Sequence, residues 1–392
     1  MEQVYVVGVG MTPFIKPAAG VSYVDLGVAA LGDALCDASV TYDAIQQVYA
    51  GYVYGDSTSG QAVAYKAGLT GVPVINVNNN CATGSTALFL ARQAIASGAA
   101  DCVLAIGFEQ MAPGALGNVF DDRPSPLQAF LDIADAHLPE AARGPMALRL
   151  FGGAGLEYQR NYGMSDRAFA KVRAKASRHA VHNPRAIFRS ELTPDDVLQS
   201  PKVLLNLTKL QCCPPTCGAA AAVLCSENYA RSHGLRTDVR IAAQAMTTDF
   251  ATSFSGSLIK AVGSEMTKAA AQQVYEAAGI GPGEVDVVEL HDCFTTNEVI
   301  TYEGLGLCPE GGAERFIEDG DNTYGGQVVT NPSGGLLSKG HPLGATGLGQ
   351  CAELVWQLRG EAGQRQVEGA RVALQHNLGL GGACVVTLYQ GV

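Results

Sequence analysis

Three short stretches hold the residue types that acyl chemistry needs. In NNNCATGSTAL (residues 78–88) three asparagines turn the chain and Cys81 follows where a helical pattern begins. Free cysteine ionises near pH 8.5, and the backbone N–H groups and dipole at a helix start lower that value, which predicts a thiolate nucleophile. In SKGHPLGATGLGQ (338–350) His341 lies between Gly340 and Pro342, with Gly344 and Gly347 beyond. Proline and glycine fix a sharp path there, as a general base held within roughly 3 Å of its proton requires. In VDVVELHDCFTTNEV (285–299) an apolar strand ends in His291, Asp292 and Cys293. His291 could donate to a developing oxyanion and Cys293 could shuttle a proton. A fourth stretch, HNLGLGGACVV (376–386), offers backbone N–H groups free of side chains, the material of an oxyanion hole.

Each residue has a plainer reading: a buried structural cysteine, a helix-capping histidine, a packed strand end. Their joint presence favours a cysteine nucleophile with a histidine activator and a second cysteine and histidine handling protons and charge. Thioester acyl transfer or a Claisen-type step is the matching reaction class. Zinc held by Cys81, His291 and Cys293 is the competing reading, but no C-x-x-C or H-x-x-x-H spacing supports it. Cys212, Cys213 and Cys217 in QCCPPTCG have no histidine beside them and read as packing residues.

The elements that must position these groups alternate as strand and helix. VYVVGVG, VDLGVAALGDALCDA and IQQVYAGYVYG read as strand, helix and strand, followed by VPVINV, a helix from Ser85 to Ser97 and DCVLAIGFEQM. This is the pattern of a layered α/β fold. The helix after Cys81 is apolar nearly all round, which predicts burial between layers. From about Phe120 to 210 the rhythm breaks into Arg-rich, Pro-punctuated sequence, an expected insertion. Within it, Arg167, Lys171, Arg173, Lys175, Arg178, Arg185 and Arg189 occur with no acid between them. Such a stretch is either a solvated helical face or a receiver of phosphates. Regular alternation returns at GAAAAVLCS (218–226) and runs to the end, with helices near 264–278 and 343–359. Strand, loop, reactive residue, long helix and strand recur around Cys81 and around His341, an outline of internal duplication.

Composition narrows the setting. The net charge of −11 argues against general nucleic-acid binding, which needs a basic surface. Eleven scattered cysteines and an N-terminus reading as a strand favour a reducing, cytoplasmic setting, with no secretory signal or membrane span expected. Only 16% of residues are charged, against roughly 25% usually, so much surface is expected in layers or subunit contacts. Glycine numbers 47, and fourteen of these fall in residues 325–382, around His341 and Gly379, where backbone must approach a thioester.

NNNCATGSTAL, HDCF, NPSGG, GHPLGATG and HNLGLGG, in this order, resemble the thiolase superfamily, and within it the sterol carrier protein x type. QCCP, GLCPEG and GDNTYGG extend the likeness over nearly the whole chain. The resemblance implies an α/β fold of five layers, α-β-α-β-α, built from two similar βαβαβαββ halves with an inserted loop domain. The expected division is 1–119 and 213–240 for the N-terminal half, 120–212 for the insertion and 241–392 for the C-terminal half. It further implies that Cys81 is acylated, that His341 activates it and helps bind a thioester oxygen, and that His291 holds an oxyanion. Many thiolases carry a C-x-G motif where this chain reads Asn377-Leu378-Gly379, so Cys293 is expected to take over the second acid/base role. The N–H groups of Cys81 and Gly379 would form the other oxyanion hole. Cys217 stands where this branch commonly has aspartate.

The implied reaction is cleavage of 3-oxoacyl-CoA with CoA, in branched-chain fatty acid or sterol side-chain breakdown. CoA is the co-substrate, with no tightly bound cofactor or metal, and the expected assembly is a homodimer or dimer of dimers. The basic stretch, Arg167, Lys171, Arg173, Lys175 and Arg178, supplies candidates for the CoA phosphates. The chain ends on the last thiolase strand, so no fused sterol-carrier domain is expected. Two rival readings are an acyl-CoA or lipid binder with little turnover and a retro-aldol acyl-CoA lyase. The absent C-x-G cysteine favours the first, and Cys81 itself argues against the second.

Overall fold

The computed structural model describes residues 2–112, 120, 122–141 and 144–392. Its main sheet contains β1 (Val4–Met11), β2 (Gln47–Gly51), β3 (Val74–Val77) and β4 (Cys102–Glu109). The small hairpin β5 (Lys202–Leu204) and β6 (Leu207–Thr208) stands apart. The main sheet continues with β7 (Gly218–Ser226), β8 (Val239–Thr247), β9 (Val287–Glu289), β10 (Val329–Thr330), β11 (Val372–Gly379) and β12 (Ala383–Gly391).

The strands fall into two groups with one plan. The first runs β3-β2-β4-β7-β1 and the second β10-β9-β11-β12-β8. Numbered within each group by chain order, both read 3-2-4-5-1. Their directions also match: the second strand is parallel to the third and fourth, and the fifth is antiparallel to its neighbours. The groups meet through the pairing of Tyr5 with Arg240. The duplication outlined by the sequence is therefore a duplication of topology. A division after residue 240 would cut β8, which begins at Val239, and the boundary expected at 119 lies outside the described residues.

Alternation of side chains along each strand generates the layers. On β4, Val103 and Ala105 join the central core while Cys102, Leu104, Ile106 and Phe108 join an outer one. β7 divides the same way, Ala220, Ala222 and Leu224 inward and Ala219, Ala221, Val223 and Cys225 outward. The central core is filled by the helices Thr83–Ala96 and Thr346–Arg359, through Leu88, Ala91 and Ile95 from one and Leu348, Cys351 and Val355 from the other. Tyr23–Ala38 covers the first outer face, and Ser264–Ala278 with Thr295–Gly304 covers the second. The result is helix, sheet, helix pair, sheet, helix. Each fully buried Leu, Ile or Val contributes about 1.5–3 kcal/mol, so two apolar helices with little polar face suit only this middle layer.

The described residues between β4 and β7 carry four α-helices besides the β5–β6 hairpin: Gln128–His137, Met146–Tyr162, Asp166–Ala180 and Pro194–Gln199. Only part of the basic stretch is the solvated face that its composition allowed: Arg167, Arg178 and Arg189 are exposed. Phe169, Val172 and Ala176 of Asp166–Ala180 enter the core, and so do the side chains of Arg173 and Lys175. Arg173 donates to Ser338 Oγ, and Lys175 pairs with Glu298 beside Tyr302 and Thr330. Two cations of this helix thus bind it to Glu298, Thr330 and Ser338.

Candidate active site

The site forms where the two central helices begin. Asn78 Oδ1 accepts from Asn80 N at 3.0 Å, and Asn80 takes a left-handed φ of 50° that asparagine tolerates. Thr83 Oγ1 donates to Asn80 O at 2.6 Å and accepts from Asn79 N at 2.8 Å, closing the turn that presents Cys81. The helix starts at Thr83, two residues after the cysteine. Opposite it, the loop of His341 leads into Thr346–Arg359. These helix starts approach closely because Gly84 lacks a side chain: a Cβ there would lie 2.7 Å from Gly344 O.

Glu109, the last residue of β4, pins this arrangement. Buried at 1% exposure, its carboxylate accepts from Val53 N at 3.1 Å, Tyr54 N at 2.9 Å and Gly344 N at 2.9 Å, the last within the His341 loop. Burial raises its pKa to about 7, against the pull of those three donors. Sequence reading missed this residue; its signal was a single acid closing a strand otherwise without charge.

The Cys81 sulfur and one nitrogen each of His291 and His341 lie within 4.8 Å of one another. The two rings meet edge to face, with centroids 4.9 Å apart. Their hydrogen bonds assign them opposite roles. Thr346 gives its one hydroxyl proton to Pro342 O at 3.0 Å, so it accepts from His341 Nδ1–H at 2.7 Å. His341 Nε2 is then a lone pair, buried and without a hydrogen-bond partner. Asn377 Nδ2 donates to Cys81 O at 3.1 Å and to His291 Nδ1 at 3.0 Å. His291 therefore carries its proton on Nε2. One imidazole accepts and the other donates.

That assignment also weighs on the zinc reading. The trio brought together is Cys81, His291 and His341, without Cys293. A metal on His291 Nε2 would need the proton on Nδ1, facing the Asn377 amide protons. The ring is set to donate rather than to ligate.

Burial sets the protonation states. It pushes the Cys81 thiol up to about 12, with Glu109 adding to the rise and the residue's own backbone N–H opposing it. The thiolate expected from the helix start is therefore not the resting form: desolvation exceeds the local dipole. Burial also lowers His341 to about 3, and it holds His291 well below its ordinary value with help from His341 and His376. The resting site is a neutral thiol between neutral imidazoles.

Cys293 is buried, and desolvation first, then the nearby Cys213 and Cys81 thiols, keep it protonated. Its carbonyl accepts from Cys213 N at 2.9 Å, and bridges pair Cys212 with Phe294 and Pro215 with His341. The Cys212–Pro215 segment is thus a wall of the site rather than distant packing, while Cys217 is buried with its thiol 3.5 Å from Met111 O. Asp292 accepts from Leu336 N at 2.6 Å and Leu337 N at 3.3 Å, which ties the NPSGG turn to the HDCF loop. Gly379 presses on the nucleophile turn; a Cβ there would stand 2.9 Å from Ala82 N.

The basic stretch lies apart from this trio. Arg167 pairs with Asp195 at 2.7 Å, and Lys171 pairs with Glu318. Arg178 is exposed and, among the described residues, has no ion pair; it lines a cavity of about 450 Å³ with His182 and Tyr324. No helix among the described residues is long and apolar enough to cross a membrane.

A thiol held between a proton acceptor and a proton donor, where the two central helices begin, is suited to acyl transfer. The chain belongs to the thiolase family, and with it to the acyltransferases: the thiolase N-terminal domain matches residues 4–228 and the thiolase C-terminal domain-like family matches residues 253–389. Sterol carrier protein 2 of Oryctolagus cuniculus is 55% identical over 395 residues, covering 100% of this chain and 72% of that protein. Among solved structures, the Ltp2-ChsH2(DUF35) aldolase has a TM-score of 0.81 at 22% identity, covering 100% of this chain and 98% of that one. Human mitochondrial 3-ketoacyl-CoA thiolase in complex with CoA has a TM-score of 0.72 at 20% identity, with 100% and 98% covered. At these identities the two structures speak to the fold.

Proposed function

We propose that the chain cleaves 3-oxoacyl-CoA with CoA through an acyl-Cys81 intermediate. The observation that carries this reading is the pair of imidazoles of opposite polarity facing one thiol. As the sulfur attacks the 3-keto carbon, His341 Nε2 takes the thiol proton. The Cys81 and Gly379 N–H groups receive the oxyanion formed at that carbon. Collapse breaks the bond between C2 and C3, leaving acyl-Cys81 and an acyl-CoA enolate. His291 Nε2–H, with His341, steadies the enolate oxygen, and the protonated Cys293 thiol supplies the proton to C2. The Cys293 thiolate then deprotonates CoA, whose sulfur takes the acyl group from Cys81, and the Cys81 thiolate so released recovers its proton from His341.

The likeness to sterol carrier protein 2 supports a branched or steroidal acyl chain in lipid breakdown. CoA acts as co-substrate, with no resident cofactor. Of the basic stretch, Arg178 is the residue we retain for a CoA phosphate, because it is exposed and unpaired among the described residues. We assign 120–212 to the insertion that covers the site. A homodimer across β3 is supported by that strand's edge, free among the described residues, beside the exposed Leu69, Tyr65 and Ile75 and next to the Cys81 turn. All eleven cysteines are free, which supports a reducing compartment, here the cytoplasm.

The test is CoA-dependent loss of straight, 2-methyl and steroidal 3-oxoacyl-CoA thioesters by wild type and Cys81→Ala. Loss confined to wild type, and fastest on branched substrates, is expected. Equal rates in both proteins would point to a lyase, and tight acyl-CoA binding without turnover would point to a binder.

A further inference from the structure

We infer that Asn377 is a positioning residue that makes His291 an oxyanion donor and locks it to the nucleophile. Asn377 lies on β11, fully buried, with both partners of its amide nitrogen inside the site. One proton goes to Cys81 O at 3.1 Å and the other to His291 Nδ1 at 3.0 Å. The first contact fixes which way the amide faces. A carbonyl can only accept, so the nitrogen and not the oxygen meets Cys81 O, and the same nitrogen then meets the ring.

Apart from its ring packing on His341, the other hydrogen bonds of His291 run through its main chain. Its N–H donates to His376 Nδ1 at 3.4 Å, and Asn297 donates to its carbonyl. Neither bond touches a ring nitrogen, so Asn377 alone among the described residues selects the tautomer. The selection matters because of what stands opposite. His341 Nε2 is already a lone pair. With the proton on His291 Nδ1, both imidazoles would turn lone pairs toward Cys81 and no side-chain donor would face a developing oxyanion. One amide thus joins the nucleophile turn to the donor ring.

This inference rests on the thiolase reading for its kinetic consequence, but not for its first test. That test is the ring state of His291 in free wild-type protein labelled with 15N-histidine, its resonances assigned with His291→Gln. A neutral ring with its proton on Nε2 at pH 7 is expected. A proton on Nδ1, or a charged ring, would overturn the inference whatever the enzyme turns over. Absence of turnover in wild type would instead sink the proposed function and leave the tautomer result standing.

Two variants extend the test. In N377L the amide is lost, and the Nε2–H signal should give way to a mixture of tautomers. Its kcat should fall about 10- to 100-fold, less than the roughly 10²–10³ expected for removing an oxyanion donor outright because part of the ring population keeps its Nε2–H, with a much smaller change in KM. An unchanged tautomer or an unchanged kcat would contradict the assignment. In N377D a carboxylate faces Nδ1 and draws a proton onto it, so Nε2–H survives only in the charged ring. Activity should then fall as pH rises through a new pKa that wild type lacks. The groups facing His291 do not mask this: His341 and His376 lie near 3 and Cys81 near 12. Asp292, raised to about 8, is common to both proteins. A loss independent of pH would mark a merely structural role and overturn the inference.

Discussion

Replacing Thr346 with valine should slow acylation of Cys81 while leaving both reacting groups in place. The Thr346 hydroxyl accepts from His341 Nδ1–H at 2.7 Å and donates to Pro342 O at 3.0 Å. Pro342 O keeps two other donors, Ala345 N and Thr346 N, each at 2.9 Å, so it loses little. Nδ1–H, in contrast, is left without a partner in a buried site. An orphaned buried donor costs about 1–3 kcal/mol. The ring escapes part of that cost by moving its proton to Nε2, which has no hydrogen-bond partner of its own but can lean on the weakly accepting Cys81 sulfur, and there it no longer accepts from the thiol. The competent tautomer is therefore depleted by at most a comparable free energy, an upper bound of about 5- to 150-fold at roughly 1.4 kcal/mol per tenfold. Rapid quenching of a single turnover, with the acyl-enzyme quantified by mass, reads this directly. Thr346→Ser keeps the hydroxyl and should stay close to wild type. A valine variant as fast as wild type would refute the reasoning, and so would a serine variant as slow as valine.

Alkylation of Cys81 by iodoacetamide should quicken steadily from pH 6 to 10, because a thiol near 12 gains thiolate with each rise in pH; a plateau between pH 6 and 8 would show a low-pKa thiolate instead. Glu109 has a folded pKa of about 7 against an ordinary 4.5, so its stabilising contribution is complete below about pH 4.5 and lost as pH rises through 7. Glu109→Gln should flatten the dependence of the melting midpoint on pH between 5 and 8, and an unaltered slope would contradict the raised pKa. Lys175→Met strands Glu298 in the core and should lower stability by about 3–5 kcal/mol in urea unfolding. A raised KM for CoA with unchanged stability would return Lys175 to the phosphate role.

The elements were largely legible because their signals are local. β4 and β7 read as strands from unbroken apolar runs, and the helix after Cys81 announced a buried layer by lacking a polar face. Its start fell at Thr83 rather than Ser85, and the helix after His341 at Thr346 rather than near 343, since GHPLGA is loop. Cys81, His291 and His341 were legible as types in distinctive turns. Their partners were not. Asn377 meets Cys81 across 296 residues, a contact that exists only because β11 lies beside the nucleophile turn. Arg173 and Lys175 looked like surface cations, and only the packing of Asp166–Ala180 against the C-terminal half reveals them as internal. The resting state of the thiol was misread for a related reason. A helix start is visible in sequence, whereas desolvation depends on everything folded around the sulfur.

The most direct test of the account is the mass of the protein after brief exposure to a 3-oxoacyl-CoA in the absence of free CoA. One acyl group per chain is expected, mapped to the peptide carrying Cys81 and discharged when CoA is added. An acyl group on Cys213 or Cys293, or turnover by wild type with Cys81 never acylated, would contradict it.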